Sequence, residues 1–398
     1  MASPVQTILI VGASYGGLSA AHYLLQHGLP PTHQIILLSS STVTYNRPAS
    51  PRALLSSTFF PQDKLFVPIA PLLTRYPSSQ LCFIHGTITT LSLANRTATY
   101  ASHPSGSTQH LTFNYAIIAT GASTPSPLLS LPSFADADIL RSEWETFRSA
   151  LPHAKNIIIS GGGPSAVEVA GELGEYLNGR PSWIPFVKKE RRVKITIVTS
   201  SERVLPHLRE DVSAQAAGYL SQLGVDVITG NKVVGVTPEG AEVGDKVEVK
   251  FGDGTVMQAD LYIPCVGTKP NTGFIEEKEV LGGDGRIEVD AMFRVKGHKG
   301  VYATGDVCAG VTPAIHVVLK AVPVLGRNVL KGLEEEGAGE EFAEDKRMTQ
   351  LVPVGRSKGV GMAMGWKVPS WAVWLIKGRD YWLWTTGDLW SGKQWEKE

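Results

Sequence analysis

Ile8-Leu9-Ile10-Val11-Gly12-Ala13-Ser14-Tyr15-Gly16-Gly17 stands near the start of a chain of 398 residues. Its apolar run reads as a buried strand covering 5–11, its glycines as a tight turn. The following 16–27 reads as a helix packed through Leu18, Ala21, Leu24 and Leu25, and stopped by Gly28 and two prolines. The glycines let the chain turn sharply and approach a phosphate closely. The helix start then offers free N–H groups and a partial positive charge to that anion. The same arrangement returns in Ile157-Ile158-Ile159-Ser160-Gly161-Gly162-Gly163-Pro164-Ser165-Ala166, 149 residues later, from Gly12 to Gly161. One such loop implies one dinucleotide. Two imply an α/β protein with two Rossmann-like units, in which a flavin and a nicotinamide meet and exchange hydride.

In the first loop Gly12 and Gly17 hold the outer positions, Gly16 completes the turn, and Ser14 replaces the middle glycine. The strand at 35–38 ends in Ser39-Ser40-Ser41, where such sites usually carry an acid for ribose hydroxyls; a Ser39 hydroxyl bonds a ribose more weakly. Arg47 and Arg52, in the polar, proline-rich 44–52, are candidate pyrophosphate partners, the alternative being plain surface arginines. A further strand at 115–119 runs into Thr120 and Gly121.

The second unit spans about 153–264. Gly161 and Gly163 form its turn, Pro164 and Ser165 open its helix, and Glu168 and Glu172, four apart, share one helical face. Its next strand, 193–198, leads into Thr199-Ser200-Ser201-Glu202-Arg203. Glu202 suits a 2′-hydroxyl and Arg203 a 2′-phosphate, which leaves NADH against NADPH open. Strands at 225–228, 247–251 and 261–266 complete the unit, with a hairpin turn at Gly252-Asp253-Gly254. Beyond it, Gly267 lies in a glycine turn. Gly305 and Asp306 end the strand Val301-Tyr302-Ala303, with Asp306 placed to accept from a polyol hydroxyl.

Formal net charge is zero, so no global field favours nucleic acid, and the run Lys188-Lys189-Glu190-Arg191-Arg192 reads as a solvated loop. Cys82, Cys265 and Cys308 lie far apart, which argues against a redox disulfide and against a structural metal site. No secretory signal, myristoylation glycine or apolar run of about 18 residues is seen. The expected location is intracellular: cytoplasm, or the surface of an internal membrane such as that of a mitochondrion or lipid droplet. The acidic 332–347 reads as a solvated connector. After it come seven of the nine tryptophans, interleaved with lysines, between 366 and 395. Such a tail suits a membrane surface, or packing onto the first unit or a partner copy.

The order of motifs resembles the two-dinucleotide-fold flavoprotein reductases, and among them the apoptosis-inducing-factor-like group with its ferroptosis-suppressor-type quinone reductases and fungal relatives. The likeness rests on Gly12–Gly17, Ile117–Gly121, Gly161–Glu172, Gly267–Asn271, Thr304–Asp306 and the tail phrases 352–356 and 377–380. It implies FAD on a discontinuous unit, 1–152 with 265–345, and NADH or NADPH on the inserted 153–264. Residues 346–398 form a small C-terminal segment. It also implies that Glu168 lies near the nicotinamide–flavin contact. The expected activity is hydride transfer from NAD(P)H to FAD and onward to a small acceptor, a quinone first. The alternatives are a tailoring oxidoreductase, an NAD(P)H oxidase or a redox sensor acting through a partner. The expected state is monomer or homodimer.

Overall fold

Gln6–Val11 pairs in parallel with His33–Ser39 on one edge and Tyr115–Ile118 on the other. A strand flanked this way and covered on both faces has no polar side, which is why its sequence is a continuous apolar run. Ile8, Leu9 and Ile10 are fully buried. The seven-stranded sheet runs Val301–Ala303, Tyr115–Ile118, Gln6–Val11, His33–Ser39, Leu81–Ser92, Thr97–Ser102, Thr108–Thr112. Its last two strands are antiparallel additions, not legible from the glycine motifs. The computed structural model describes residues 4–131, 137–180, 191–334 and 339–396. Lys188, Lys189 and Glu190 of the basic run, and 335–338 of the acidic stretch, lie outside them.

The second sheet is all parallel: Val225–Ile228, Lys194–Val198, Asn156–Ser160, Leu261–Pro264. The hairpin expected at 252–254 joins Val247–Phe251 to Val256–Ala259 in a separate antiparallel sheet. Each glycine turn feeds a helix, Tyr15–Gln26 and Pro164–Asn178. The first packs on the long helix Ile315–Leu333, where Gly326 makes room: a Cβ there would lie 2.1 Å from the Tyr23 ring.

The tail forms a third layer. Gln350–Val354, Lys358–Ala363 and Trp366–Lys367 make a small antiparallel sheet. Its first strand lies on the second helix so closely that a Cβ on Gly171 would sit 2.7 Å from the Gly355 nitrogen. Short helical turns then carry the chain back to the first helix, where Trp390 and Trp395 are buried. The acidic stretch is not a free connector. Glu340 pairs with Arg327 through two bonds, and the Glu344 side chain is 8% exposed beside Lys346. No helix among the described residues is long and apolar enough to cross a membrane.

Candidate active site

The two turns are built alike. Gly12 (φ +101°) and Gly161 (φ +113°) both occupy the left-handed region, and a Cβ on either would strike a carbonyl, Ala119 O at 2.5 Å or Cys265 O at 2.4 Å. Gly17 is tighter still: its Cβ would lie 1.8 Å from Gly12 O, so this glycine closes the turn against its own helix. The helix starts are open. Neither Ser14 nor Gly163 makes a side-chain cap bond, neither first turn holds an acid, and Gly163 has nothing within 4 Å of a Cβ. The buried Thr304 hydroxyl, beside the first loop, lacks a protein partner. Free N–H groups, a vacant helix start and an unpaired hydroxyl suit the pyrophosphate of a dinucleotide.

A cavity of about 740 Å³ runs from the first loop to the tail. Gly12, Ser14, Gly16, Ser39, Arg47, Thr120, Gly121, Gly305 and Asp306 line it, and Pro164, Ser165 and Glu168 border it from the second unit. Arg47 donates to Ala122 O at 2.8 Å. Burial pushes the Asp306 carboxyl up, while Arg47 and Arg286 pull it back down. Gly17, Gly161, Gly163, Arg203 and Gly267 do not line this cavity.

Arg52 is the correction. It is 5% exposed and turned away from the cavity, forked onto Glu172 with bonds of 2.8–3.0 Å and donating to the carbonyls of Gly378 and Arg379. All three guanidinium nitrogens are engaged by protein, and the residue does not line the cavity. The planar fork suits a carboxylate, and Glu172 is the buried carboxylate within reach.

Glu172 belongs to a row. Glu168, Glu172 and Glu175 follow one face of the second helix, all under 5% exposed, and each meets a cation. Lys377 Nζ donates to Glu168 at 2.6 Å; Arg180 and Arg356 hold Glu175 at 2.8 and 3.2 Å. Burial raises the Glu168 carboxyl and Lys377 opposes it, whereas the bonds to Glu175 carry that carboxyl below its ordinary value despite burial. Lys377 escaped the sequence reading as a site residue. It opens the tail phrase 377–380, but its partner is 209 positions away, so its role could not be read locally.

Lys377 and Trp382 bring the tail to the cavity wall, with Nζ 5.1 Å from the indole centre. Tyr381 (φ 53°) and Trp382 (φ 63°) are consecutive left-handed non-glycine residues, each costing about 1 kcal/mol or more. Three bonds hold them there: Tyr381 N to Lys377 O at 2.6 Å, Asn46 Nδ2 to Tyr381 O at 2.9 Å, and Tyr381 OH to Glu172 at 3.0 Å.

Two sheets with parallel dinucleotide-binding cores, two open glycine turns and a shared cavity give the two-dinucleotide-binding-domain fold of the flavoprotein reductases. The chain belongs to the pyridine nucleotide-disulphide oxidoreductase family, whose model it matches over residues 6–324. FAD and NADH or NADPH are its cofactors. It is 46% identical to oxidoreductase phnG of Penicillium herquei, over all of this chain and 98% of that one. It is 25% identical to ferroptosis suppressor protein 1 of Xenopus laevis, over 94% of this chain and 92% of that one. The solved structure of NDH2 from Plasmodium falciparum with NADH covers 99% of both chains at 15% identity and a TM-score of 0.73. The three cysteines are free, so no disulfide stands beside the cavity.

Proposed function

We propose that this chain is an NAD(P)H:quinone reductase in which the C-terminal tail builds the acceptor end of the flavin cavity. The buried Glu168–Lys377 pair carries the reading: it joins the nicotinamide-side helix to the tail where both border the cavity. In this reading 1–152 with 265–345 hold FAD and 153–264 hold the nicotinamide dinucleotide. Bound flavin supplies two-electron chemistry between donor and acceptor. Gly12, Ser14, Gly16 and Thr304 hold the pyrophosphate, Arg47 adds a positive charge, and Asp306 accepts from the polyol. Gly161, Gly163 and Ser165 seat the second dinucleotide against the Pro164 helix start. Lys377 places an ammonium where negative charge develops on an acceptor oxygen, and Glu168 fixes its position. The balance is NAD(P)H, one proton and quinone giving NAD(P)⁺ and hydroquinone.

The tail also offers an entry surface. Trp366, Trp371, Trp374, Leu375, Ile376 and Trp384 are exposed together in the segment that contributes Lys377 and Trp382. We infer that this patch rests on a bilayer, whose interface favours indole rings beside lysines. A second reading, a soluble small aromatic acceptor of a tailoring reaction, draws on the polar wall formed by Thr124, Ser130, Thr349 and Gln350.

Anaerobic absorbance spectra of the FAD-loaded chain test both. Bleaching by NAD(P)H and recovery with a short-chain quinone support the reductase. Bleaching without recovery by any quinone, with or without vesicles, removes the quinone from the reading.

A further inference from the structure

Resting on the nicotinamide site assigned above, we propose that this site is built for NADPH rather than NADH. In a βαβ unit the residue just after the second strand faces the adenosine ribose, and a carboxylate there binds the 2′-hydroxyl and repels a 2′-phosphate. Here the strand Lys194–Val198 is followed by Thr199. Its side chain is buried against the glycine turn: a Cβ on Gly162 would sit 2.5 Å from Thr199 Oγ1. The position that normally excludes a phosphate is therefore neutral and hydroxylic.

The loop beyond it is fixed in place. Leu205 N donates to Gly162 O at 2.6 Å, Gly230 N to Ser201 O at 3.0 Å, and Asn231 N to Thr199 O at 3.0 Å. Val204, Leu205 and Leu208 anchor it in the core. Ser200, Glu202, Arg203, His207 and Arg209 stay exposed, with Ser201 half-buried. The Arg203 guanidinium meets only the carbonyls of Pro206 and Leu208, at 3.3 and 3.5 Å, and no carboxylate among the described residues. Its charge has no carboxylate partner in the loop that follows the second strand of the unit.

Glu202 is the competing group, and the topology separates it from the ribose position. Thr199 faces Gly162, on the side of the first strand. Glu202 lies over Gly230, at the end of Val225–Ile228 on the opposite edge, with Oε1 3.8 Å from a Cβ built there. Ser200 and the Arg203 guanidinium thus remain as exposed donors for a 2′-phosphate, a donor set that a phosphate dianion takes up.

Titration of the FAD-loaded chain with NADP⁺ and NAD⁺, followed by calorimetry, reads this directly. NADP⁺ binds tighter by about tenfold or more, as expected for a charge-assisted contact. Arg203→Ala, an exposed change, lowers that ratio by about tenfold without weakening NAD⁺. Ser200→Asp, also exposed, reverses the preference by placing a carboxylate one residue beyond the strand-end Thr199. Equal or tighter binding of NAD⁺ to the unaltered chain overturns the proposal. So does an Arg203→Ala ratio that does not move. Stopped-flow bleaching of the flavin separates this from the broader reading. Bleaching by both donors with no difference in affinity defeats the NADPH assignment alone, whereas bleaching by neither defeats the nicotinamide site itself.

Discussion

The helices after the two glycine turns receive the same tail by opposite chemistry. On Tyr15–Gln26 the tail packs rings: Trp390 lies 4.7 Å from the Tyr15 ring centre, and Trp395 meets Tyr23 edge-on at 6.4 Å. The polar contacts there are neutral. His22 Nε2 donates to Trp390 O at 3.0 Å, and Gln26 donates to Gly392 O at 3.1 Å. On Pro164–Asn178 the tail and its neighbours supply cations to three buried carboxylates. Ring packing answers to volume and is indifferent to charge; buried ion pairs answer to charge and fail badly when one partner is lost. Both helix starts border the cavity, but the tail meets the second helix by charge and the first by rings.

Removing one partner of the charged seam has the largest expected effect. Arg52→Ala strips the buried Glu172 of its cation, and lowers unfolding free energy by about 3–5 kcal/mol in urea titration. The paired change Arg52→Leu with Glu172→Leu recovers most of that loss, because no charge is then stranded. On the ring side, Trp395→Ala costs about 3 kcal/mol through an unfilled cavity, and that cost is unchanged between low and high salt.

Acid sharpens the contrast further. Burial holds His22 neutral and lowers its pKa from 6.5 to about 4, with the bond to Trp390 O opposing. The unfolded chain takes up the proton first, so stability falls as pH drops from 6.5 towards 4, by about 2–3 kcal/mol. Glu175 is depressed below its ordinary 4.5. Its contribution is present above that pH and is lost as pH falls below it. Acid thus loosens the ring side first. His22→Gln flattens the upper window of a pH series of melting curves, and Glu175→Gln the lower one.

The smallest change in stability is expected at the exposed indoles. Trp371→Ala with Trp384→Ala shifts unfolding by about 0.5 kcal/mol or less, yet abolishes co-sedimentation with anionic vesicles. Unchanged co-sedimentation removes the membrane from the reading.

The glycine turns and their strands were legible because they are local. Gly12, Gly161 and the apolar runs are dictated by backbone geometry within about ten residues, and the expected strands match the observed ones to within two positions at their ends. Where Arg52 points was not legible for the converse reason: its partner lies 120 residues away on another unit, and a polar loop looks the same whether its arginine faces ligand or protein. The tail tryptophans divide the same way. Trp366 and Trp371 lie outside, Trp390 and Trp395 in the core, and their composition is alike. Which ring is covered depends on where the small sheet at 350–367 delivers the chain.

The left-handed Tyr381–Trp382 step sets stability against chemistry. Glycine adopts that backbone freely, so Trp382→Gly relieves strain and removes the indole that borders the cavity. The strained indole thus trades backbone ease for a ring at the cavity wall, and Trp382→Gly is expected to cost turnover.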